Sequence, residues 1–254
     1  MNKTYLLIVF IILSFSSFGQ SNGDLKDISS ELIKSDFSSV FIGEKFKSDN
    51  RTDLYDRIEP IGFFGKNYQR FYIHFISVVQ NKATPSEYFV YGKTKLKDNI
   101  SSFQGTIKIN KVEEYKRHEF PEFRRGKLNG TYTFYEDPKN NGTGKFEGEV
   151  TSYWLINDKD DIEYDAMMLS ADGYSNNQFN GEWVSYSSNN KYICNWGDYR
   201  IPDSYELDNG AGEFFPSKEY LEKGWKSYLE QYGDPSNPST IESRKLEKQN
   251  WWID

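Results

Sequence analysis

The chain has little of what most catalytic sites are built from: one cysteine, Cys194, and two histidines, His74 and His118, among 254 residues. A single cysteine excludes an internal disulfide framework. The sequence also lacks a glycine-rich phosphate loop, His-Glu-x-x-His, Cys-x-x-Cys and Gly-x-Ser-x-Gly, the motifs of nucleotide, zinc, redox and serine-hydrolase chemistry. We therefore expect no cofactor and no metal, and we interpret Cys194 as a buried, inert thiol rather than a nucleophile paired with a histidine.

Positive charge is also in short supply. Lys and Arg number 31 against 38 Asp and Glu, which gives the chain a net charge of −7 at pH 7. This sign is wrong for binding a phosphate backbone or an anionic membrane surface. We expect no nucleic-acid partner.

The first nineteen residues have the layout of a secretory signal peptide. Lys3 provides a positive start, Tyr5 to Leu13 is an apolar run, and Ser17 and Gly19 are small residues before a cut ahead of Gln20. The run is shorter than the roughly twenty residues that span a bilayer. We predict an exported protein, periplasmic or secreted, with no integral membrane segment after cleavage; bacterial export is favoured because disulfides are absent.

Period-two alternation organises the rest of the chain. In residues 103–110, Phe103, Ile107 and Ile109 face one way and polar side chains face the other, which predicts a half-buried strand. The same pattern predicts seven more strands, over Arg70–Val79, Glu87–Leu96, Gly130–Tyr135, Phe146–Ile156, Ile162–Leu169, Phe179–Tyr186 and Lys191–Trp196. The turn-rich connections are too short for crossover helices, so the strands should form an antiparallel meander.

Four of these strands carry a glycine on the apolar face: Gly105, Gly130, Gly148 and Gly181. A glycine there lets a strand bend or lets an aromatic ring approach the backbone closely, which favours closure of the sheet. The glycines are unevenly spaced, which disfavours a repeat array. The predicted fold is all-β: an antiparallel up-and-down meander of about eight strands closing into a calycin- or lipocalin-like barrel, a likeness that rests on fold analogy alone.

Helical spacing of apolar residues marks the two ends of the mature chain. It appears over Asp24–Ser35 and Ser217–Tyr232, and a third helix is expected from Ser239 toward Trp251 and Trp252, which should pin the tail down. We expect short N- and C-terminal helices packed on the barrel. The predicted organisation is a signal peptide (1–19), an N-terminal helix and irregular segment (20–66), a β-barrel domain (67–216) and a docked helical tail (217–254); residues 37–67 carry no clear pattern.

The densest group of candidate site residues follows the last predicted strand. Trp196 and Tyr199 offer flat faces, and Asp198 and Arg200 could stand on one side of an extended chain. With Trp183 and Glu213 they form the candidate ligand-binding set: Trp183, Trp196, Asp198, Tyr199, Arg200 and Glu213. A structural role is the stronger alternative, because aromatics in such a setting usually pack; Trp196 would then plug the barrel end and Asp198 would pair with Arg200.

Several segments resemble a family of uncharacterised exported bacterial proteins. They are Ile61-Gly-Phe-Phe-Gly, Tyr72-Ile-His-Phe-Ile-Ser, Glu87-Tyr-Phe-Val-Tyr-Gly-Lys-Thr, Asp172-Gly-Tyr, Phe179-x-Gly-x-Trp-x-Ser-Tyr and Cys194-Asn-Trp-Gly-Asp-Tyr-Arg-Ile-Pro. The resemblance covers about residues 61–225. It implies an exported protein with a single β-rich domain and carries no ligand or catalytic residue.

Three functions remain open, and a non-enzyme is favoured. The leading hypothesis is a binding module that takes a small apolar or glycan ligand in the barrel interior or in its open mouth. A hollow interior lined by Phe103, Val150 and Trp183 would support a ligand carrier. The second is a structural or partner-binding envelope protein that uses exposed aromatic side chains. The third is a hydrolase of exported polymers, which requires two converging carboxylates such as Asp198 and Glu213.

Overall fold

The computed structural model describes residues 24–48 and 51–253. The predicted signal peptide lies outside these residues. The strands are β1 Leu25–Asp27, β2 Lys45–Lys47, β3 Leu54–Asp56, β4 Ile61–Phe64, β5 Gln69–Gln80, β6 Glu87–Leu96, β7 Asn99–Tyr115, β8 Arg124–Glu136, β9 Gly144–Ile156, β10 Ile162–Tyr164, β11 Asn176–Ser185 and β12 Lys191–Asp198. The helices are α1 Ser29–Leu32, α2 Ser38–Ile42, α3 Lys226–Glu230 and α4 Pro238–Glu247, with 3₁₀ turns at Tyr205–Leu207 and Lys218–Lys223.

Eight strands pair in a closed cycle, which we call the strand ring: β4, β5, β6, β7, β8, β9, β11, β12 and back to β4. Every pair in the cycle is antiparallel, and neighbours follow the order of the chain except where β10 leaves the ring and where β12 returns to β4. The predicted all-β class and antiparallel meander are confirmed.

Seven of the eight predicted strands lie in the strand ring, but the prediction for Ile162–Leu169 is wrong. Only Ile162–Tyr164 is extended, and it pairs outside the ring with the end of β9. The chain turns after it because the Asp165 carboxylate accepts the N–H of Met167 at 3.0 Å. The eighth place belongs to β4, which comes from the stretch that the sequence left unassigned.

Aromatic side chains fill the interior of the strand ring. Phe103 packs on Phe134 with ring centroids 4.9 Å apart, and Phe179 stacks on Trp196 at 4.8 Å. Tyr132, also buried, lies edge-on to Trp196 at 5.1 Å. This packing makes the interior a core rather than a hollow.

Two of the inward glycines make room for one of these rings. Gly148 in β9 stands opposite Gly181 in β11. A Cβ atom at Gly148 would lie 2.9 Å from the Tyr132 hydroxyl oxygen, and one at Gly181 would lie 2.5 Å from it. Both distances are too short for van der Waals contact, so the predicted close approach of an aromatic side chain to the backbone is confirmed at this pair.

The N-terminal segment closes one end of the strand ring. Phe37 meets Trp154 edge-on at 6.2 Å, and its backbone N–H donates to the Tyr88 hydroxyl at 2.9 Å. Val40 and Phe41 on α2 are also buried in the core. The helix predicted over Asp24–Ser35 is shorter than expected, because Leu25–Asp27 pairs with β7 as a strand and leaves only α1.

The C-terminal helices pack outside β5. Arg70 forms an ion pair with Glu247 of α4 at 3.1 Å, and its guanidinium lies 4.5 Å from the Trp225 ring centroid. The helix predicted over Ser217–Tyr232 is interrupted at Gly224, whose φ of +92° lies in the left-handed region. None of the helices in residues 24–48 and 51–253 is long and apolar enough to cross a membrane.

Candidate functional site

The wall of the strand ring is incomplete beside β4. This strand has four residues, and its pairing with the twelve-residue β5 stops at Gly62 opposite Phe71. Pro60, just before β4, has no N–H to donate and cannot continue the ladder. The remainder of this β5 edge has no strand partner among the described residues, so the wall opens between β5 and β12.

A cavity of about 350 Å³ occupies this opening. Its volume falls in the range of about 300–1,000 Å³ typical of small-molecule sites. The wall comes from six parts of the chain: residues 41–44, 57–60 and 73–76, together with Asn177, Phe179, Trp196, Asp198 and Trp252.

The inner wall of the cavity is apolar and is made of tightly packed side chains. Trp196 and Phe179 are each 1% exposed and stack with an interplanar angle of 13°. Ile73 from β5 is buried beside them in the same core cluster. These side chains belong to the packed core of the strand ring, so this part of the wall is held in place by core packing.

A buried polar network lies in the same wall. Asp198, which is fully buried, accepts hydrogen bonds through Oδ2 from Arg57 Nη2 and from Asn177 Nδ2, both at 2.9 Å. Arg57 Nη1 donates to the Phe41 carbonyl at 2.5 Å. Burial raises the pKa of Asp198, and the Arg57 guanidinium opposes that rise. The network ties α2, β11 and β12 together at the cavity.

Asn177 leaves one acceptor unused. Its amide nitrogen donates to the Val40 carbonyl at 3.0 Å and to Asp198, which fixes the orientation of the amide. Its Oδ1 atom is buried and has no hydrogen-bond partner. An unpaired buried acceptor costs about 1–3 kcal/mol, so a donor that reached it would be stabilised.

An aromatic stack and a carboxylate stand at the mouth. The Trp252 ring lies 3.8 Å from the His74 ring at an interplanar angle of 9°. His74 Nδ1 is 3.0 Å from Glu59 Oε2, and the side chains of His74 and Glu59 are 22% and 37% exposed. Glu44, Ile58 and Ile76 are also exposed here. The cavity thus passes from an apolar, enclosed inner part to a polar mouth.

The candidate residues from the sequence separate into two groups. Trp196 and Asp198 line the cavity. Tyr199, Arg200 and Glu213 are outside its lining, because β12 ends at Asp198 and Tyr199 turns the chain away with a φ of 65°. The expected pairing of Asp198 with Arg200 is not observed.

The residues outside the lining have structural partners or face solvent. Arg200 binds Asp208 at 2.6 Å, and Tyr199 packs edge-on against Tyr174 at 5.1 Å. Glu213 is exposed and therefore does not converge with the buried Asp198. Arg200 holds the loop after β12 in place.

Trp183 lies near the other end of the strand ring. Its Nε1 donates to the buried Glu136 carboxylate at 2.9 Å. Neither Trp183 nor Phe103 nor Val150 lines the cavity. The interior of the strand ring, where a ligand space was expected, is therefore filled, and the open volume lies at the wall.

Sequence reasoning missed Arg57, Glu59, His74 and Asn177 as cavity residues. Arg57 and Glu59 fall in the stretch without a clear pattern, although charged residues directly before Pro60 and the apolar Ile61–Phe64 could have marked a strand entry. His74 was placed in a strand, and Trp252 was expected only to pin the tail. The contact between Trp252 and His74 serves that purpose and also builds the mouth.

Comparisons with protein-family models, with curated proteins and with solved structures found no match for this chain.

Proposed function

We propose that this protein is a binding module that holds a small, largely apolar or glycan ligand in the cavity between β5 and β12. The closed pairing of eight strands supports a calycin-like barrel with the N-terminal helices at one end. The observation that carries the proposal is the cavity of about 350 Å³ in a molecule whose ring interior is otherwise packed with aromatic side chains. A concave, mostly apolar space of this size with a few convergent polar groups is the usual form of a small-molecule site.

The chemistry of the wall fits this role. Flat apolar faces from Trp196 and Phe179 would receive a ring or a short chain, and a few fixed polar groups would orient it. A hydroxyl or amine that reached Asn177 would supply the donor that its Oδ1 lacks. The signal peptide predicted in residues 1–19 would deliver this site to the periplasm or the cell exterior.

The test is titration of residues 20–254 with the neutral fluorophore N-phenyl-1-naphthylamine. We expect saturable binding at one site with enhanced emission. Ile58→Trp should abolish or strongly weaken binding, because Ile58 is 42% exposed at the cavity mouth and a larger side chain would fill it. Ile100→Trp is the matched control, since Ile100 is 46% exposed and outside the lining. Equal loss in both variants, or no saturable binding in the parent protein, would refute the proposal.

A second function, binding to a protein partner, is favoured by one surface feature. Val79, Phe89, Tyr91 and Tyr135 are 43–56% exposed and stand on the outer face of the sheet, on β5, β6 and β8, with Gln104 of β7 between Tyr91 and Tyr135. Contiguous exposed apolar patches often mark interaction sites. A photo-crosslinking residue at Phe89 should give one discrete cross-linked species in cells if this role is correct, whereas the same residue at exposed Tyr232 should not.

A further inference from the structure

We infer that the ligand of the cavity is a small amine: an apolar body that carries a positively charged nitrogen. This inference rests on the proposed function, because it requires that the cavity binds a ligand. It is drawn from the balance of charges, the balance of hydrogen-bond donors and acceptors, and the aromatic side chains in the wall.

The charges that line the cavity are predominantly negative. Three carboxylates, Glu44, Glu59 and Asp198, face one guanidinium, that of Arg57. With His74 neutral the lining carries a net charge of −2, and with His74 protonated it still carries −1. Lys93 stands opposite His74 in the neighbouring strand but is outside the lining.

The one guanidinium is already engaged. Arg57 is bound to Asp198 at 2.9 Å and to the Phe41 carbonyl at 2.5 Å, so the buried pair leaves no positive charge for a ligand anion. The carboxylates of Glu59 and Glu44 at the mouth remain to attract a cation. Charge interactions near a partly enclosed apolar wall are stronger than in bulk water, which favours a cationic over a neutral ligand and disfavours a carboxylate.

Hydrogen bonding points to the same class. The amide nitrogen of Asn177 and the Nη atoms of Arg57 have protein acceptors. The buried lining atoms without a partner are acceptors, namely Asn177 Oδ1 and Asp198 Oδ1. At the mouth, both Glu59 oxygens lie within 3.1 Å of His74 Nδ1, and the Glu44 carboxylate is exposed. An ammonium supplies three donors and no acceptor, so it complements such a wall better than a carboxylate or a carbonyl does.

The aromatic side chains of the wall also favour a cation. Trp196, Trp252, Phe41, Phe75 and Phe179 all contribute to the wall. Aromatic faces attract cations, tryptophan most strongly, and they also accept the apolar body of the ligand. Trp252 and Glu59 flank His74 at the mouth, so a cation entering there would meet an aromatic face and a carboxylate together.

The experiment uses three probes with the same indole body: tryptamine, tryptophol and indole-3-propionate, which end in an ammonium, a hydroxyl and a carboxylate. Binding of each to residues 20–254 is measured by isothermal titration calorimetry at low ionic strength. We expect tryptamine to bind at least about tenfold more tightly than tryptophol and indole-3-propionate to bind most weakly. Added salt should reduce the advantage of the amine but leave tryptophol unchanged.

Charge-neutralising variants locate the effect. Glu59→Gln and Glu44→Gln should each reduce the preference for tryptamine over tryptophol several-fold while leaving tryptophol binding within about twofold. Glu119→Gln is the control, because Glu119 is an exposed carboxylate outside the lining. An unchanged preference in both mouth variants would overturn the assignment of these carboxylates to the amine.

The outcomes separate the two proposals. If the fluorophore or tryptophol binds in the cavity and tryptamine has no advantage, the amine inference is wrong and the binding module stands. If neither the fluorophore nor any indole probe binds, both proposals fail. Tighter binding of indole-3-propionate than of tryptamine would also overturn the inference, since it would show that the cavity attracts negative charge.

Discussion

Replacing Asp198 by Asn should cost far more stability than the same replacement in an exposed ion pair of equal length. The Asp198 side chain is fully buried and that of Arg57 is 11% exposed, with the two joined at 2.9 Å. Asp198→Asn keeps the shape and an acceptor for Asn177 but leaves the Arg57 charge buried without its counter-ion. The matched control is Asp56→Asn, because Asp56 and Lys45 are also 2.9 Å apart and their side chains are 84% and 54% exposed.

Removing one partner of a buried ion pair costs about 3–5 kcal/mol. Arg57 keeps the Phe41 carbonyl as an acceptor at 2.5 Å, so we place the loss at the lower end, about 3 kcal/mol. For a chain of this size 1 kcal/mol corresponds to about 2–4 °C in Tm, which gives a fall of roughly 6–12 °C. Asp56→Asn should change the free energy of unfolding by less than about 1 kcal/mol.

The assay is urea unfolding followed by tryptophan fluorescence and far-UV circular dichroism, with Tm from calorimetry. The double variant Arg57→Met/Asp198→Leu should recover most of the loss, because it removes both charges and refills the volume with apolar groups. The reasoning is wrong if Asp198→Asn costs no more than Asp56→Asn. It is also wrong if the double variant is as unstable as the single one.

Three further predictions concern other buried groups. Burial raises the pKa of Glu136 above its usual 4.5, so the folded protein loses stability as the pH rises through the raised pKa and the buried carboxyl ionises. The urea midpoint of the wild type should therefore fall relative to that of Glu136→Gln between about pH 4 and pH 7. Parallel curves for the two proteins would contradict this. Cys194 is fully buried and burial raises its pKa, so iodoacetamide should label the native protein at least about a thousandfold more slowly than the unfolded chain; fast labelling would refute an inert thiol. Glu247→Gln leaves buried Arg70 without its counter-ion, so the free energy of unfolding should fall by about 3 kcal/mol and trypsin should cut residues 217–254 faster. Glu242→Gln, at an exposed position of the same helix, should change neither quantity.

Much of the strand ring could be predicted because alternation is a local property. In β7 the inward Phe103, Ile107 and Ile109 are all buried, as their period of two requires. Periodicity gave no prediction for a strand that was too short to show it, and it gave a wrong prediction where a non-strand segment alternates in the same way. Ile61–Phe64 has too few residues to show a period, and Ile162–Leu169 alternates correctly but turns at Asp165, whose carboxylate is taken by Met167 and by Arg125 at 2.9 Å.

The candidate site was predictable only in part for a related reason. Trp196 and Asp198 were found because they lie in one dense segment, but their partners come from elsewhere in the chain. Arg57 is 141 residues from Asp198 in sequence, and Trp252 reaches His74 from the C-terminal tail. No local pattern encodes contacts over such separations.

The amino-acid sequence by itself determined the all-β class, the antiparallel meander and the glycines that let Tyr132 lie against β9 and β11, because alternation, turns and steric size act over a few residues. Only the tertiary structure decided which strand closes the ring, that the interior is filled, and that the open volume lies beside a four-residue β4. Those outcomes depend on the register and length of strands brought together from distant parts of the chain. They are set by packing over the whole molecule, and so is the set of charges that faces the cavity.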